Sequence, residues 1–305
     1  MKMSAMLAVV CGFAGILTAR ADEGDDLGAD GFVDSGGVRI HYVTRGTGPL
    51  VILLHGFPDF WYSWRGQIPA LARHFQVVAV DLRGYNLSDQ PKGLENYTMD
   101  KLVGDVDAVV KHFKKDKAVI VGHDWGGIIA WTFAMTHSDQ TDRLVILNLP
   151  HPKCLQRELA NNPEQQKNSA YARQFQKDGR ALLPDGSTVA LTPELLALWV
   201  KDEAARKKYI EAFRRSSIEE MVNYYKANYP RPPYTDEIDY PPVKCPVLMF
   251  HGLGDPFLLP GALNDTWRYV EKHLTLVTVP KAGHWVHHDA ADLVTNRMVR
   301  WLTQE

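Results

Sequence analysis

Six short apolar runs limit the fold of this chain more than any other feature of its sequence. The runs are rich in Val, Ile and Leu, and helix-like stretches separate most of them: Leu50–Leu54, Val77–Val80, Ala118–Val121, Leu144–Leu147, Val247–Phe250 and Leu274–Val279. Their hydrophobicity is continuous rather than alternating, which indicates strands buried on both faces. Such strands form a mostly parallel sheet with helices packed on each side. We therefore expect an α/β fold with a mostly parallel central sheet.

The chain ahead of the first run has the pattern of a β-hairpin. Residues 31–42 predict two strands, and Ser35-Gly36-Gly37 supplies the turn, because glycine adopts the positive φ angles that tight hairpin turns need. We expect the folded part of the chain to begin at Gly31.

The alternation of strands and helices stops between Pro150 and Pro241, where only helical patterns occur. Thr192 followed by Pro193 predicts a helix start, and Ser217 with Glu220 predicts a capping box. A helical insertion between two strands is most simply a lid over the carboxyl edge of the sheet, where open α/β sheets bind ligands. We predict a core of residues 31–150 and 241–305 and a helical lid of residues 151–240.

The first 21 residues have the layout of a secretory signal. Lys2 precedes an apolar run, Ala5–Leu17, and Ala19-Arg20-Ala21 offers small residues for cleavage before an acidic stretch. We expect a signal peptide of residues 1–21, an acidic linker of residues 22–30, and export to the periplasm or the medium. An uncleaved membrane anchor is the alternative, but the run is shorter than the roughly 20 apolar residues of a spanning helix.

Charge and cysteine content narrow the choice of partners. The chain has 34 basic and 36 acidic side chains and a formal net charge of -2, which gives no electrostatic case for nucleic-acid binding. Cys154 and Cys245 follow the predicted signal, and neither has a nearby cysteine or histidine that would suggest a metal site. Whether the two pair is open. We expect a small-molecule substrate and neither a metal nor an organic cofactor.

Asp124 occupies the centre of a nucleophile elbow, Gly122-His123-Asp124-Trp125-Gly126. The motif follows a predicted strand and precedes the helix-like run Gly127–Thr136, which is the context in which such an elbow projects its central side chain. The glycines allow strand and helix to approach closely, and aspartate tolerates the strained turn better than most residues. Asp124 is therefore the predicted nucleophile.

Asp255 and His284 supply the partners that an elbow nucleophile needs. Asp255 follows the strand Val247–Phe250, and His284 follows the strand Leu274–Val279. The order nucleophile, acid, histidine is the one that α/β-hydrolases use. Some relatives place the acid one strand earlier, but Leu147-Asn148-Leu149-Pro150 contains no carboxylate.

Two backbone N–H groups are predicted to form an oxyanion hole. His55-Gly56-Phe57-Pro58 follows the strand Leu50–Leu54 and would direct the N–H of Phe57 toward the elbow. The N–H of Trp125 would be the second donor.

A carboxylate at the elbow suits attack on saturated carbon. Aspartate is ionised at neutral pH without a base, because its ordinary pKa is about 3.9. Its attack gives an alkyl ester, whose carbonyl carbon water can attack, whereas a serine would give an ether with no such route. We expect His284 to activate that water while Asp255 orients the imidazole and stabilises the imidazolium.

These motifs, with Trp61-Tyr62-Ser63-Trp64 and Asp81-Leu82-Arg83-Gly84-Tyr85, resemble the soluble epoxide hydrolase family of the α/β-hydrolase superfamily over roughly residues 31–304. The resemblance implies an α/β-hydrolase fold, an epoxide substrate, and two lid tyrosines that hold the epoxide oxygen. One tyrosine precedes a Phe-Gln pair, which selects Tyr171. The other follows Asn and an aromatic residue, which selects Tyr225.

Helix geometry supports Tyr225 independently. From Ser217 onward, Tyr225 shares an apolar face with Ile218, Met221, Val222 and Tyr229. Tyr224 lies about 100° away around the helix, so Tyr225 is the tyrosine predicted to point inward.

Two other functions remain open from the sequence. A haloalkane or haloacid dehalogenase of the same fold uses the same aspartate, but Phe57 offers no side-chain donor for halide and Trp125 stands where fluoroacetate dehalogenases carry arginine. Trp199 in the lid could replace the missing donor, so Phe57, Trp125 and Trp199 are the predicted substrate-binding residues. A non-catalytic ligand-binding homologue would have no need of the complete Asp124–Asp255–His284 set.

Overall fold

The structure is a computed structural model that describes residues 26–304. The predicted signal peptide and the first four residues of the predicted linker lie outside the described residues. Among residues 26–304, no helix is long and apolar enough to cross a membrane.

A twisted eight-stranded sheet forms the centre of the protein. Its strands, with a separate pair in the lid, are β1 (Ala29–Ser35), β2 (Val38–Arg45), β3 (Leu50–Leu54), β4 (Gln76–Val80), β5 (Ala118–His123), β6 (Thr141–Leu147), β7 (Ala181–Leu182), β8 (Thr188–Val189), β9 (Val247–Gly252) and β10 (Leu274–Val279). The order across the central sheet is β1-β2-β4-β3-β5-β6-β9-β10. Only the β1–β2 and β2–β4 pairs are antiparallel. The predicted α/β fold with a mostly parallel sheet is confirmed.

Helices cover both faces of this sheet and make up most of the lid. They are α1 (Ile68–Leu71), α2 (Met99–His112), α3 (Trp125–Thr136), α4 (Pro152–Asn161), α5 (Pro163–Asn168), α6 (Ala170–Asp178), α7 (Pro193–Leu196), α8 (Glu203–Arg215), α9 (Ile218–Asn228), α10 (Val286–Asp289) and α11 (Ala291–Gln304). Short 3₁₀ turns occupy Trp61–Gly66, Leu94–Tyr97, Pro260–Leu263 and Thr266–Tyr269.

Burial on both faces explains the unbroken apolar runs. Every residue of β3 and β5 is buried. Ile52 and Ile120 point into the larger hydrophobic core on one side of the sheet, whereas Val51 and Val119 point into a second core on the other side. A polar residue at any of these positions would lack water on either side of the strand.

The N-terminal hairpin forms with its turn at Gly36 and Gly37, but β1 begins at Ala29, two residues before the predicted start. The extra length follows from pairing, because Ala29 is opposite Thr44 and Asp30 is opposite Val43 in the antiparallel register. The Asp30 side chain also contacts the buried ring of His41 at 2.9 Å.

The segment between β6 and β9 contains α4 to α9 and packs over the carboxyl edge of the sheet. The expectation of a strand-free lid is wrong, because β7 and β8 form a two-stranded hairpin there. Thr192 caps α7 as predicted. The capping box at α9 is half formed: Ser217 accepts the N–H of Glu220, whereas the Glu220 carboxylate accepts from Asn223.

The two cysteines of the described residues, Cys154 and Cys245, are both buried and unpaired. No disulfide therefore joins the lid to the core at these positions.

The glycines of the elbow are required by close backbone packing. A Cβ atom on Gly126 would lie 2.2 Å from the carbonyl oxygen of Leu54, which belongs to a central strand and cannot move away. Gly104 lies in the middle of α2, and a Cβ atom there would meet nothing within 4 Å.

We expect Gly126→Ala to lower the free energy of unfolding by about 2–4 kcal/mol, because the new methyl group overpacks two backbone segments. Gly104→Ala is the matched control and should raise it by about 0.5–1 kcal/mol, because alanine favours the helix. Urea unfolding followed by circular dichroism measures both. Equal stability of the two variants would contradict the close packing of β3 against α3.

Candidate active site

Asp124 lies at the junction of β5 and α3. Its backbone is strained, with φ 50° and ψ -120°, and this conformation turns the side chain away from the sheet toward the lid. The residue is 8% exposed, so its carboxylate is accessible only from a cavity.

The two oxygens of the Asp124 carboxylate have different environments. The N–H of Phe57 donates to Oδ1 at 2.8 Å, while Oδ2 lies 3.5 Å from Nε2 of His284. Trp125 is the first residue of α3, and N–H groups in the first turn have no acceptor within their own helix. Both predicted oxyanion donors therefore lie beside the elbow, and Phe57 already contacts it. Oδ2 is not held by an oxyanion donor and has only the longer contact with His284, so it is the oxygen placed to attack a substrate.

The His284 ring is held between two carboxylates. Its Nδ1 lies 2.8 Å from Oδ2 of Asp255, and because a carboxylate can only accept, Nδ1 carries the proton. The other oxygen of Asp255 accepts from the N–H groups of Phe257 and Leu258. These bonds fix the direction of Asp255 and, through it, the plane of the imidazole.

The charges of this trio stabilise one another. Burial opposes ionisation of Asp255, but the charge of His284 and its hydrogen bond lower the pKa of Asp255 to about 2. Burial also opposes charge on His284, yet Asp255 and Asp124 together raise its pKa to about 10. The pKa of Asp124 is lowered despite burial, chiefly by its hydrogen bond and charge interaction with His284. Both carboxylates therefore favour the imidazolium form of His284 in the resting site at neutral pH.

Tyr171 on α6 and Tyr225 on α9 face the same cavity as Asp124. Burial raises the pKa of both hydroxyls well above the ordinary value, and the charge of Asp124 adds to the effect. A hydrogen bond with Tyr225 acts in the opposite direction on Tyr171, and one with Trp125 does so on Tyr225. Both hydroxyls therefore keep their protons at neutral pH and can donate to an oxygen in the cavity.

Tyr224 is also buried, but it points away from Asp124. Its hydroxyl donates to the carbonyl oxygen of Arg83 at 2.9 Å, and its ring packs against Tyr85 and Tyr97. The helical phase thus separates the two neighbouring tyrosines into one that faces the cavity and one that attaches α9 to the core.

The cavity above Asp124, called here the nucleophile cavity, has a volume of about 160 Å³. Its walls are mostly apolar and aromatic. They consist of Phe57, Pro58, Asp124, Tyr171, Phe175, Ala181, Leu182, Tyr225, Phe257, His284 and Trp285. Such a site suits a small apolar ligand with one polar centre placed between the tyrosines and Asp124.

Two predicted substrate-binding residues lie elsewhere. The Trp125 side chain packs behind Tyr225, with ring centroids 4.9 Å apart, and does not line the nucleophile cavity. Trp199 stacks on Trp285 and lines a neighbouring cavity. Of the three predicted substrate-binding side chains, only Phe57 lines the nucleophile cavity. Trp285, Phe175 and Phe257 line it without having been predicted.

Asn148 is a further residue that the sequence did not identify. Its Nδ2 donates to Oδ2 of Asp255 at 2.7 Å and to the carbonyl oxygen of Gly283 at 3.2 Å, while its Oδ1 accepts from the N–H of Gly252. Asn148 thus connects the loop that carries Asp255 to the loop that carries His284. Its position at the end of β6 was the available signal, but only a carboxylate was sought there.

Two neutral histidines form hydrogen bonds with backbone groups next to the site. His55 donates through Nδ1 to the carbonyl oxygen of Gly56 and accepts the N–H of Leu82, and burial lowers its pKa to about 4. His123 donates through Nε2 to the carbonyl oxygen of His284 at 2.9 Å, and burial lowers its pKa to about 3. These uncharged rings hold the backbone next to Phe57 and the backbone at His284 in place without adding charge to the site.

One group of side chains in residues 26–304 has metal-ligand character: the buried Asp59, His123 and His287, with ligand atoms within 4.8 Å of one another. Several of these atoms are already hydrogen-bonded. Asp59 accepts from Ser63 at 2.7 Å, and Nε2 of His287 lies 2.8 Å from the same hydroxyl.

Comparisons with known proteins show which family this chain is similar to. A family model of the alpha/beta hydrolase fold matches residues 49–291. Epoxide hydrolase 3 of Xenopus tropicalis is 33% identical over 290 residues, which cover 88% of this chain and 76% of that protein. The AB hydrolase superfamily protein YfhM of Bacillus subtilis is 32% identical over 291 residues, which cover 90% and 98%. A crystal structure of a Bacillus megaterium epoxide hydrolase with an inhibitor superimposes with a TM-score of 0.80 at 31% identity, over 90% of this chain and 100% of that one.

Asn148→Gly tests the connection between the two loops. Asn148 has a φ of 40°, which glycine adopts without strain, so this change removes the amide alone. We expect turnover to fall about 10- to 100-fold because His284 and Asp255 lose their fixed orientation. The low-field proton NMR signal of His284 Nδ1 should broaden or shift.

Asn86→Gly is the matched control, since Asn86 has a φ of 45° and bonds to Asp81 rather than to Asp255. It should leave both the signal and turnover unchanged. An unaltered Nδ1 signal in Asn148→Gly would show that Asp255 is oriented without Asn148.

Proposed function

The chain belongs to the epoxide hydrolase family of the α/β-hydrolase superfamily and hydrolyses epoxides, and we propose that it does so through a covalent ester on Asp124. One observation carries this mechanism. Oδ2 of Asp124 lies at the base of the apolar nucleophile cavity, which Tyr171 and Tyr225 also line, and only 3.5 Å from His284.

Ring opening uses Asp124 and the two tyrosines. Oδ2 attacks one ring carbon, a new C–O bond forms, and the bond from that carbon to the epoxide oxygen breaks. The oxygen leaves as an alkoxide, which is a poor leaving group, so a hydrogen bond from Tyr171 or Tyr225 lowers the barrier and supplies a proton. Oδ1 stays at the N–H of Phe57 and becomes the carbonyl oxygen of the ester.

Esterification changes the state of His284. The Asp124 carboxylate loses its charge, so one of the two groups that raise the pKa of His284 disappears. The imidazolium gives up its proton, which replaces the one donated to the alkoxide. His284 is then a neutral base beside the ester, although it was charged in the resting site.

Hydrolysis returns the site to its starting state. Neutral His284 takes a proton from water, the resulting hydroxide attacks the ester carbonyl, and the oxyanion develops on Oδ1 near the N–H groups of Phe57 and Trp125. The intermediate collapses as the bond between Cγ and Oδ2 of Asp124 breaks, and the departing oxygen takes the proton of the added hydroxyl. The diol leaves, and Asp124 is again a carboxylate beside an imidazolium. Each turnover therefore consumes one epoxide and one water, and one carboxylate oxygen of Asp124 then comes from that water.

The dehalogenase alternative loses its support from Trp199. Halide needs N–H donors at the site of departure, and Trp199 lines a different cavity from Asp124. The two tyrosine hydroxyls match an alkoxide better than a halide, because only the alkoxide requires a proton.

His284→Gln should trap the ester. Attack by Asp124 does not need a base, whereas hydrolysis does, so we expect intact-protein mass spectrometry to show a mass increase equal to one substrate after an epoxide is added. Asp124→Asn is the control and should gain no mass. A His284→Gln protein that stays unmodified while the wild type turns over would favour direct attack of water on the ring.

The tyrosines are tested by single and double substitution. Tyr171→Phe or Tyr225→Phe should slow epoxide opening by about 100-fold or less, because one donor remains, and the double variant should be nearly inactive. Tyr224→Phe is the matched control: it removes a buried hydroxyl on the same helix that faces Arg83. Rapid-quench measurement of ester formation isolates this step. Full activity of the double variant would exclude both residues as acids.

A further inference from the structure

A second cavity of about 600 Å³, called here the rear cavity, is lined by His284 but not by Asp124. It shares Phe257, His284 and Trp285 with the nucleophile cavity. The two spaces therefore adjoin at these three side chains, of which Trp285 is the largest.

The indole of Trp285 is held in place by the lid. Trp199 lies flat against it, with ring centroids 3.9 Å apart and planes 6° from parallel. Trp199 in turn packs on Tyr209 of α8, with a centroid separation of 5.2 Å. Among residues 26–304, no group hydrogen-bonds to either buried indole N–H. Rotation of Trp285 would therefore break packing contacts and no hydrogen bond.

An ion pair next to this stack joins the same two segments. Lys201 of the lid contacts Asp289 at 3.0 Å, and Asp289 also accepts the N–H of Gly283 at 2.9 Å, just before His284. The Lys201 side chain is 88% exposed, so the pair is readily broken by solvent. The ion pair therefore adds little to the contact between this lid segment and the core, which depends mainly on the packing of Trp199 and of the buried Val200.

The walls of the rear cavity suit an extended apolar group. Its apolar members besides Trp285 include Pro256, Phe257, Trp199 and Val200, while its charged members are Arg65, Lys201, Asp202 and Asp289. The nucleophile cavity is about 160 Å³, so a long substituent on the epoxide ring exceeds it. The adjoining 600 Å³ is the space available to such a substituent once Trp285 moves.

We propose that Trp285 is a gate between the two cavities, that Trp199 holds it closed, and that both cavities together bind epoxides with a long alkyl substituent. This inference rests on the proposed function, since it extends the site in which Asp124 attacks the ring. Trp285 and Trp199 then determine which epoxides are substrates, while Asp124, His284 and the tyrosines carry out the reaction.

The test compares 1,2-epoxyhexane with 1,2-epoxydodecane, which have the same reacting ring and differ only in chain length. The readout is the ratio of kcat/KM for the long epoxide to that for the short one. Val200→Trp fills the rear cavity and does not touch the nucleophile cavity, because Val200 lines only the former. We expect this ratio to fall about 10-fold or more, as several methylene groups lose their buried site.

Leu198→Trp is the matched control, since Leu198 lies two residues away, is 66% exposed and lines neither cavity. It should leave the ratio within about twofold of the wild type. Trp199→Ala should raise the ratio by about threefold or more because Trp285 loses its support. If the circular dichroism spectrum or melting temperature of Val200→Trp differs from that of the wild type, Trp199→Ala still tests the gate.

A ratio that stays constant in both Val200→Trp and Trp199→Ala would overturn the gate. This includes the case in which Val200→Trp lowers kcat/KM equally for both substrates. These results would leave epoxide hydrolysis itself intact, because 1,2-epoxyhexane would still be converted by the wild type. Failure of the wild type to convert either epoxide would instead contradict the proposed function.

Discussion

The imidazolium of His284 lies between Asp255 and Asp124, and most of the surrounding structure serves to hold these three charges in place. Each comes from the end of a different strand or the loop after it, so the separations of 2.8 and 3.5 Å depend on the register of the whole sheet. Burial makes the arrangement costly unless every charge has a partner. Asn148 is a further neutral partner for Asp255, whereas His55 and His123 hydrogen-bond the backbone beside Phe57 and at His284 without adding charge. The geometry of the site therefore depends on several strand ends at one edge of the sheet and not on the elbow motif alone.

Much of the fold could be predicted because its cause is visible in short stretches of sequence. A strand buried on both faces must be apolar at every position, and Leu50–Leu54 was delimited correctly on that basis alone. The elbow was recognisable because close packing requires glycine at fixed spacing around Asp124. Strands of two residues, such as β7 and β8, are too short to show any periodicity, and no pattern could have predicted them.

The side chains that the sequence placed incorrectly share a physical reason. The direction of Trp199 depends on how the lid packs against α10 and its neighbours, and nothing in the lid sequence specifies that contact. Glu220 fits a capping box, but Asn223 competes for its carboxylate once α9 is buried. Asn148 was overlooked because its role arises from three long-range bonds to Asp255, Gly283 and Gly252. Local rules describe neighbours along the chain, and these roles depend on neighbours in space.

The two tyrosines belong to lid helices, whereas Asp124, His284 and Asp255 belong to the sheet. Several lid hydrogen bonds to the core are individually modest, among them those of Tyr224 to Arg83 and of Gln165 to Phe257. The lid also shares the larger hydrophobic core with the sheet, so both hydrogen bonds and apolar packing keep the tyrosines over Asp124. A molecule whose lid had separated from the sheet would keep its nucleophile and base but have no proton donor for the leaving oxygen. Catalysis therefore reports the contact between lid and sheet, whereas a spectroscopic signal of the sheet alone does not.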